Sequence, residues 1–251
     1  MSAGSFYEIG LWVMAGLTLV TVGALTFIVA PYGRHRRDGF GPGLPARVAW
    51  MVFESPAVLL MAAVALARGL DSAGAVALFA LWNLHYVNRT IVWPLRARTG
   101  GKTVPLAVVA SAFCFQLLNS SLNALAISGA GAVPDGWLLD PRFVVGAALF
   151  LAGYAVNLHA DAVLRGLRAP GETGYKVPRG GLYERVSCPN YLGEILEWCG
   201  WALASWSLAG LAFALYTAAN LAPRALAHHR WYRERFPDYP PERKALLPWL
   251  W

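Results

Sequence analysis

The sequence is poor in charge and contains few cysteines. Only 14% of its 251 residues are charged, whereas 57% are hydrophobic, and a soluble domain usually carries about a quarter charged residues. The three cysteines, Cys114, Cys188 and Cys199, show neither CxxC spacing nor even pairing, which argues against a disulfide framework or a zinc site. These shortages exclude an ordinary soluble domain and predict an integral membrane protein.

The common nucleotide-binding and leader signatures are also missing. The chain has no GxGxxG and no Walker A pattern, so neither a Rossmann nor a P-loop domain is supported. Residues 1–8 contain no basic residue, and the apolar segment after them is too long for a signal peptide, so we expect it to remain as a transmembrane helix. Because no linker composition divides the chain, we predict one membrane domain over residues 1–251.

Long apolar segments follow one another along the chain. A transmembrane helix needs about 20 predominantly apolar residues. By that measure we predict an all-α bundle of seven transmembrane helices, at 6–30, 48–68, 73–95, 104–128, 142–165, 190–208 and 210–226. Only the short segment 207–210 separates the last two of these helices.

Positive charge is distributed unevenly between the connections. All but Arg68 and Arg142 of the 21 basic residues belong to one alternating set of connections. These are the loops 31–47, 89–102 and 165–185 and the C-terminal tail. Cytoplasmic loops are enriched in Lys and Arg, so the asymmetry predicts an N-terminus outside and a C-terminus in the cytoplasm. It also explains the net charge of +7 without nucleic acid, for which no motif is present.

Two neighbouring apolar segments each carry polar residues at helical spacing, which places each set on one stripe of a helix. Ionisable groups within a span are costly and usually mark a functional site. The two sets are Asn157, Asp161, Arg165 and Arg168 on one segment and Asn190, Glu194 and Glu197 on the next. We interpret them as the walls of a pocket for a polar, anionic ligand. The glycine- and arginine-containing loop between them suits phosphate, and it is equally compatible with ordinary turns of a cytoplasmic loop.

Earlier segments contain two further candidates. Glu54 lies among apolar residues near the start of the second predicted span, where it could serve as a hydrogen-bonding acid; interaction with the helix dipole is the alternative. Tyr86 and Arg89 lie one turn apart in the polar run that ends the third span. Interfacial anchoring and snorkelling explain either residue singly better than they explain the whole run.

Two other polar groups receive simpler interpretations. The fourth span carries Gln116, Asn119, Ser120 and Asn123 on one face, and we interpret them as interhelical hydrogen-bonding residues. The adjacent His228 and His229 point to different faces of a helix and lack a suitably spaced third ligand, so we predict no metal site.

Segments spread in order over nearly the whole chain resemble the steroid 5-alpha-reductases, membrane enzymes that reduce 3-oxo-Δ4 steroids with NADPH. The similarity is carried by YGRH at 32–35, LPAR at 44–47, HYVNRT at 85–90, PDGW at 134–137, NLHAD at 157–161, LRAPGE at 167–172, GGLY at 180–183, NYLGEILEW at 190–198, HHRWY at 228–232, DYP at 238–240 and RKAL at 243–246.

The resemblance implies an oxidoreductase that uses NADPH on a steroid or another lipophilic enone. Glu54 and Tyr86 match the family's catalytic pair, which would hydrogen-bond the 3-oxo group while hydride reaches C5. The cofactor-binding positions match Tyr32, Arg89, Asn157, Asp161, Arg168, Tyr175, Lys176, Asn190, Glu194, Arg224, His228 and Tyr232. The earlier spans would form the substrate pocket, and the region from about residue 104 to 251 would hold NADPH. Two positions depart from the family, because Phe53 stands where some members have glutamine and Lys176 where arginine is common.

Two other functions fit parts of the chain. Isoprenylcysteine methyltransferase-like proteins share an Asn-Tyr-x-Gly-Glu-like segment, but Arg-His-Pro usually precedes it, whereas Ser187, Cys188 and Pro189 precede it here. A membrane methyltransferase that uses S-adenosylmethionine is therefore the alternative. A small transporter is disfavoured, because the polar residues cluster towards the cytoplasmic half beside a basic loop.

The composition also predicts a location. Abundant alanine and arginine are typical of a GC-rich bacterium, so we expect a multi-pass protein of the bacterial inner membrane, or of the endoplasmic reticulum in a eukaryote. The active site would face the cytoplasm. Membrane lipid is an expected partner, and we expect no obligate protein partner.

Overall fold

The computed structural model describes residues 2–29, 41–167, 169, 172 and 174–251. Its helices are α1 (Ala3–Phe27), α2 (Ala46–Arg68), α3 (Ala73–Val87), α4 (Trp93–Arg96), α5 (Leu106–Ile127), α6 (Pro141–Gly166), α7 (Pro189–Ser205) and α8 (Leu208–Arg235). A π-helical turn, Asn88–Val92, joins α3 to α4 in one continuous rod. Short 3₁₀ turns occur at Trp137–Leu139 and Gly181–Glu184.

The chain is a helical membrane protein. Within the described part of the chain four helices, α1, α2, α5 and α6, are long and apolar enough to cross a membrane by length and composition. Each of the seven predicted segments overlaps an observed rod, with ends that differ by up to three residues for most of them. The largest difference is at α8, which extends to Arg235, whereas the prediction ended at residue 226. Hydropathy reports where a helix leaves an apolar environment, and α8 continues beyond that point through a polar turn rich in arginine and histidine.

A small sheet, which the sequence did not predict, lies beside the bundle. Strand β1 (Gly43–Pro45) pairs antiparallel with β2 (Thr103–Pro105), and Leu44 is opposite Val104. Each strand leads directly into a helix, α2 or α5, so the sheet fixes the starts of these two helices side by side. The all-α prediction describes the bundle and misses these strands, because three residues are too few to show an alternating pattern.

Side-chain caps start several of the helices. Ser2, Ser72, Asp140 and Ser207 each accept a hydrogen bond from a backbone N–H in the first turn of α1, α3, α6 and α8. Asp140 also binds the guanidinium of Arg142, with oxygen–nitrogen distances of 2.8 and 2.9 Å. These hydrogen bonds from Arg142 lower the pKa of Asp140 to about 2.

Glycines bring the backbones of α6 and α7 into direct contact. Gly146 and Gly153 on α6 face Gly193 and Gly200 on α7, one heptad apart on each helix. A Cβ atom at Gly193 would lie 2.6 Å from the backbone nitrogen of Asn157, and one at Gly200 would overlap the backbone of α6. Small residues permit such close approach between membrane helices. The Asn157 side chain of α6 can therefore reach Asn190 and Glu194 of α7 directly.

The basic connections meet at one end of the bundle. Lys102 Nζ donates to the Tyr175 hydroxyl at 3.1 Å, which joins the loop before α5 to the loop after α6. Arg243 donates to the carbonyl oxygen of Pro178 at 3.0 Å, and Ser187 N donates to that of Lys244 at 2.8 Å. The C-terminal tail is thus fastened to the same end as these loops.

The glycine contact between α6 and α7 generates a stability prediction. Gly200→Ala should lower the free energy of unfolding by about 1–3 kcal/mol, because the added methyl group overpacks a backbone contact. Thermal and denaturant unfolding in detergent would measure the change. Gly16→Ala is the matched control, since nothing lies within 4 Å of a Cβ at Gly16 on α1. Equal losses in the two variants would refute the tight packing of α6 on α7.

Candidate active site

A hydrogen-bonded cluster in the bundle interior joins Glu54, Tyr86 and Gln116. Gln116 Nε2, from α5, donates to Glu54 Oε2 on α2 at 2.6 Å and lies 3.3 Å from the hydroxyl oxygen of Tyr86 on α3. All three side chains are buried. Glu54 and Tyr86, 32 positions apart in sequence, therefore meet on one carboxamide.

The position of Glu54 rules out the helix-dipole alternative. Helix α2 begins at Ala46, so Glu54 lies two turns inside it rather than near its start. Interaction with the dipole falls off within the first turn. The carboxyl group must therefore be accounted for by its contact with Gln116.

Tyr86 stands within an aromatic core. The Trp82 and Trp198 rings lie with their centroids 4.7 and 5.5 Å from that of Tyr86. The indole N–H of Trp82 donates to the carbonyl oxygen of Ala57 at 2.9 Å, so this tryptophan is both packed and hydrogen-bonded. The surrounding rings fix the tyrosine side chain and leave its hydroxyl as the polar end.

A second buried pair, which sequence reasoning missed, lies beside Tyr86. His85 Nδ1 is 2.8 Å from Glu197 Oε1, and the two residues are 3% and 0% exposed. Glu197 belongs to the stripe predicted to line the anionic pocket, but its carboxyl group binds α3 instead. The ionisable character of both residues was visible in the sequence. Their pairing was not, because 112 positions separate them.

Arg89 anchors the adjacent polar network. Its guanidinium lies 3.2 Å from Asp161 Oδ2 on α6 and 3.4 Å from Glu194 Oε2 on α7. The Trp50 and Trp93 rings flank it, each with its centroid 5.2 Å from Cζ. Because the Arg89 side chain is only 11% exposed, snorkelling towards water does not explain it. The π-helical turn that carries Arg89 adds a residue to one helical turn, a feature common at functional sites.

Asn157 completes this network. Its Nδ2 donates to the backbone carbonyl oxygen of Asn190 at 2.9 Å and lies 3.4 Å from Glu194 Oε2. Within the described residues its Oδ1 has no hydrogen-bond partner, although the side chain is buried. An unpaired buried acceptor is costly, so this oxygen is suited to a ligand that offers an N–H donor. Five predicted cofactor-binding residues thus meet here: Arg89, Asn157, Asp161, Asn190 and Glu194.

Two more predicted cofactor-binding residues meet on α8. Arg224 donates to the Tyr191 hydroxyl at 3.1 Å, and His228 Nε2 is 3.1 Å from the same oxygen. Tyr191 was not among the predicted residues, although it directly follows Asn190 in the motif at 190–198.

The remaining predicted residues occupy other places. The Tyr175 ring packs on Trp231, at a centroid distance of 5.1 Å, beside a cavity of about 520 Å³ that Arg235 and Phe236 also line. Lys176 pairs with Glu172 at the surface, and Tyr232 is buried and stacks on Tyr239. Tyr32 and Arg168 lie outside the described residues.

The bundle is thus a helical membrane protein that buries a carboxylic acid beside a tyrosine and an arginine between two carboxylates. Residues 102–251 match the family model described as 3-oxo-5-alpha-steroid 4-dehydrogenase. The chain is 45% identical to the 3-oxo-5-alpha-steroid 4-dehydrogenase 1 of Bos taurus, covering 100% of this chain and 96% of that protein.

Human and plant proteins give similar matches. The human 3-oxo-5-alpha-steroid 4-dehydrogenase 1 is 45% identical over 87% of this chain and 85% of its own length. The steroid 5-alpha-reductase DET2 of Arabidopsis thaliana is 40% identical over 94% and 95%. The chain belongs to the 3-oxo-5-alpha-steroid 4-dehydrogenase family, the steroid 5-alpha-reductases, which are oxidoreductases. The resemblance identified from the motifs is confirmed.

The Arg89 network generates a second prediction. Arg89→Met should lower the free energy of unfolding by about 3–5 kcal/mol, because the Asp161 and Glu194 carboxylates lose their buried counter-charge. Adding Asp161→Asn to this variant should restore part of the loss. Unfolding in detergent, followed by tryptophan fluorescence, would measure both changes.

The control for this prediction is Arg142→Met, which removes an arginine whose side chain is 40% exposed in its pair with Asp140. Exposed pairs contribute little, so the stability of this variant should stay close to that of the wild type. An Arg89 variant as stable as the Arg142 variant would contradict the assignment of Arg89 as a buried structural cation.

Proposed function

We propose that the protein is an NADPH-dependent 3-oxo-5-alpha-steroid 4-dehydrogenase, which reduces 3-oxo-Δ4 steroids to 5-alpha-3-oxosteroids. The observation that carries the proposal is the meeting of Glu54 and Tyr86 on the carboxamide of Gln116. Two neighbouring hydroxyl-bearing groups, a carboxylic acid and a phenol, suit a single carbonyl oxygen as acceptor. The relatives named as steroid 4-dehydrogenases and 5-alpha-reductases agree with a steroid substrate.

Glu54 and Tyr86 act as the catalytic pair in this proposal. Both hydrogen-bond the 3-oxo group and stabilise the negative charge that develops on its oxygen as the enone becomes an enolate. Donors held in a dry interior stabilise such charge without reorganising. Bound NADPH supplies the hydride that reaches C5, and a proton added at C4 completes the saturated product.

The residues of the later helices would hold the cofactor. Asn157 would offer its unpaired Oδ1 to the carboxamide N–H of the nicotinamide, and Asn190 and Glu194 would bind the same end and its ribose. The basic side chains suit the phosphates. The full proposed set is Tyr32, Arg89, Asn157, Asp161, Arg168, Tyr175, Lys176, Asn190, Glu194, Arg224, His228 and Tyr232.

We also propose that all seven rods cross the membrane, with the N-terminus outside and the cofactor site facing the cytoplasm. The support is the meeting of the basic connections at one end of the bundle. The chain forms a single domain over 1–251, in which residues from about 104 onward hold NADPH. In a bacterial cell the protein resides in the inner membrane.

The proposal predicts that the purified protein oxidises NADPH when testosterone or progesterone is added. Glu54→Gln and Tyr86→Phe should each lower kcat by about 10²–10³-fold, because the first replaces an acidic O–H donor with a much weaker amide N–H and the second removes a donor to the developing oxyanion. Nucleotide affinity should be unchanged, since neither residue belongs to the cofactor network. Absorbance at the NADPH band and nucleotide titration would measure the two effects.

Glu8→Gln and Tyr7→Phe serve as controls, since Glu8 is exposed and the Tyr7 hydroxyl contacts Ala209 N at the opposite end of the bundle. Both should keep full turnover. Binding of S-adenosylmethionine, together with no NADPH oxidation by any 3-oxo-Δ4 steroid, would overturn the reductase proposal in favour of a methyltransferase.

A further inference from the structure

Three carboxamides on α5 form a continuous hydrogen-bonded row. Asn123, Asn119 and Gln116 follow one face of the helix, and all are buried. Their amide N–H groups make six contacts with five acceptor atoms. Two are on Asn119, its backbone carbonyl and side-chain oxygens, both 3.0 Å from Asn123 Nδ2. Asn119 Nδ2 faces Gln116 Oε1 at 3.3 Å and the Tyr86 hydroxyl oxygen at 3.5 Å as a donor. Gln116 Nε2 donates to Glu54 Oε2 and to the Tyr86 hydroxyl oxygen.

The distal end of the row fixes its direction. The indole N–H of Trp201, on α7, lies 2.8 Å from Asn123 Oδ1. An indole can only donate and a backbone carbonyl can only accept. The Trp201 N–H and the Asn119 carbonyl oxygen therefore both require Asn123 to place its oxygen towards Trp201 and its nitrogen towards Asn119.

That orientation is passed along the helix. Because Asn123 donates to Asn119 Oδ1, the nitrogen of Asn119 faces Gln116 and Tyr86. Gln116 then accepts on Oε1 and must present Nε2 to Glu54. Reversing any one amide would set two oxygens or two N–H groups against each other in a dry interior, where an unmade hydrogen bond is expensive.

The orientation of the amides along the row determines which hydrogen bonds remain available to Glu54 and Tyr86. Glu54 Oε2 accepts from Gln116, so an acidic proton of Glu54 is left to its other oxygen, Oε1. The Tyr86 oxygen lies 3.3 Å from Gln116 Nε2. Its contacts with Asn119 Nδ2 and Gln116 Oε1 are both 3.5 Å, which is long for a hydrogen bond, so among the described residues its O–H has no short acceptor. Both groups are therefore arranged to donate.

We propose that Trp201, Asn123, Asn119 and Gln116 are positioning residues, a one-way hydrogen-bond row that holds Glu54 and Tyr86 as donors to one substrate oxygen. The inference rests on the proposed reductase function and deepens it. The row moves no proton: each amide keeps its hydrogens and orients the next group. None of these four side chains needs to touch the substrate.

Substitutions along the row provide the first test. Gln116→Leu, Asn119→Leu and Asn123→Leu should each lower kcat by about tenfold, roughly the value of one hydrogen bond, with nucleotide affinity unchanged. Ser120→Ala is the matched control, since Ser120 is fully buried on the same helix and its hydroxyl has no partner within the described residues. It should keep wild-type kcat, KM and unfolding midpoint.

A double-mutant cycle separates orientation from packing. If Asn123 acts through Asn119, Asn123→Leu should have no further effect on kcat in the Asn119→Leu background. Trp201→Phe should behave in the same way, because it removes the distal donor while keeping an aromatic ring in the core. Effects that multiply independently would show that these residues merely support the fold, and the proposal would be wrong.

An infrared measurement tests the row without using the reaction. The carboxyl stretch of Glu54, identified by its loss in Glu54→Gln, should shift in Gln116→Leu and also in Asn123→Leu, but not in Ser120→Ala. An unchanged band in Asn123→Leu would overturn the inference. If the band shifts but the protein does not oxidise NADPH, the hydrogen-bonded row is supported and the reductase function is refuted.

Discussion

The ion pairs of Arg89 connect the two halves of the site. Arg89 belongs to the π-helical turn between α3 and α4, and its guanidinium reaches Asp161 on α6 and Glu194 on α7. A charge buried in a bundle is tolerated only when it is paired, so these contacts fix the rod that carries Tyr86 against the helices of the proposed cofactor site. The proposed catalytic and cofactor-binding residues, which lie on separate helices, are thereby held in one register.

The glycine contact of α6 with α7 makes this pairing possible. Asp161 and Glu194 can both reach one guanidinium because Gly153 and Gly193 let the two backbones touch. Larger side chains at these positions would move the carboxylates apart. The glycine packing thus sets the distances on which the polar network depends. One turn further along α7, the His85–Glu197 pair makes a further contact between α3 and α7.

The sequence was most informative where a property is local. Hydropathy predicted the rods, and the resemblance to the family singled out Glu54, Tyr86, Arg89 and the four polar residues near Arg89, which the structure brings close together. Contacts between distant positions, such as His85 with Glu197 or Gln116 with Glu54, could not be predicted. Neither segment of such a pair contains a pattern that indicates which distant residue it will contact. Gln116 was interpreted as an interhelical hydrogen-bonding residue, and it is one. Gln116 belongs to the site because it contacts Glu54 and Tyr86, and the spacing of polar residues along α5 does not predict these two contacts.

The departure at Phe53 illustrates how the site depends on such distant contacts. Phe53 packs with Ala49, Val104 and Val109 on the apolar side of α2, next to the small sheet, so it supplies no polar group. The carboxamide that binds Glu54 comes from α5 instead, at Gln116. Because Gln116 belongs to a row whose far end is fixed by Trp201 on α7, the orientation of the acid on α2 depends on a helix that also carries Glu194 and Glu197. Helix α7 therefore contributes to both parts of the proposed site, directly through its carboxylates and indirectly through one indole N–H.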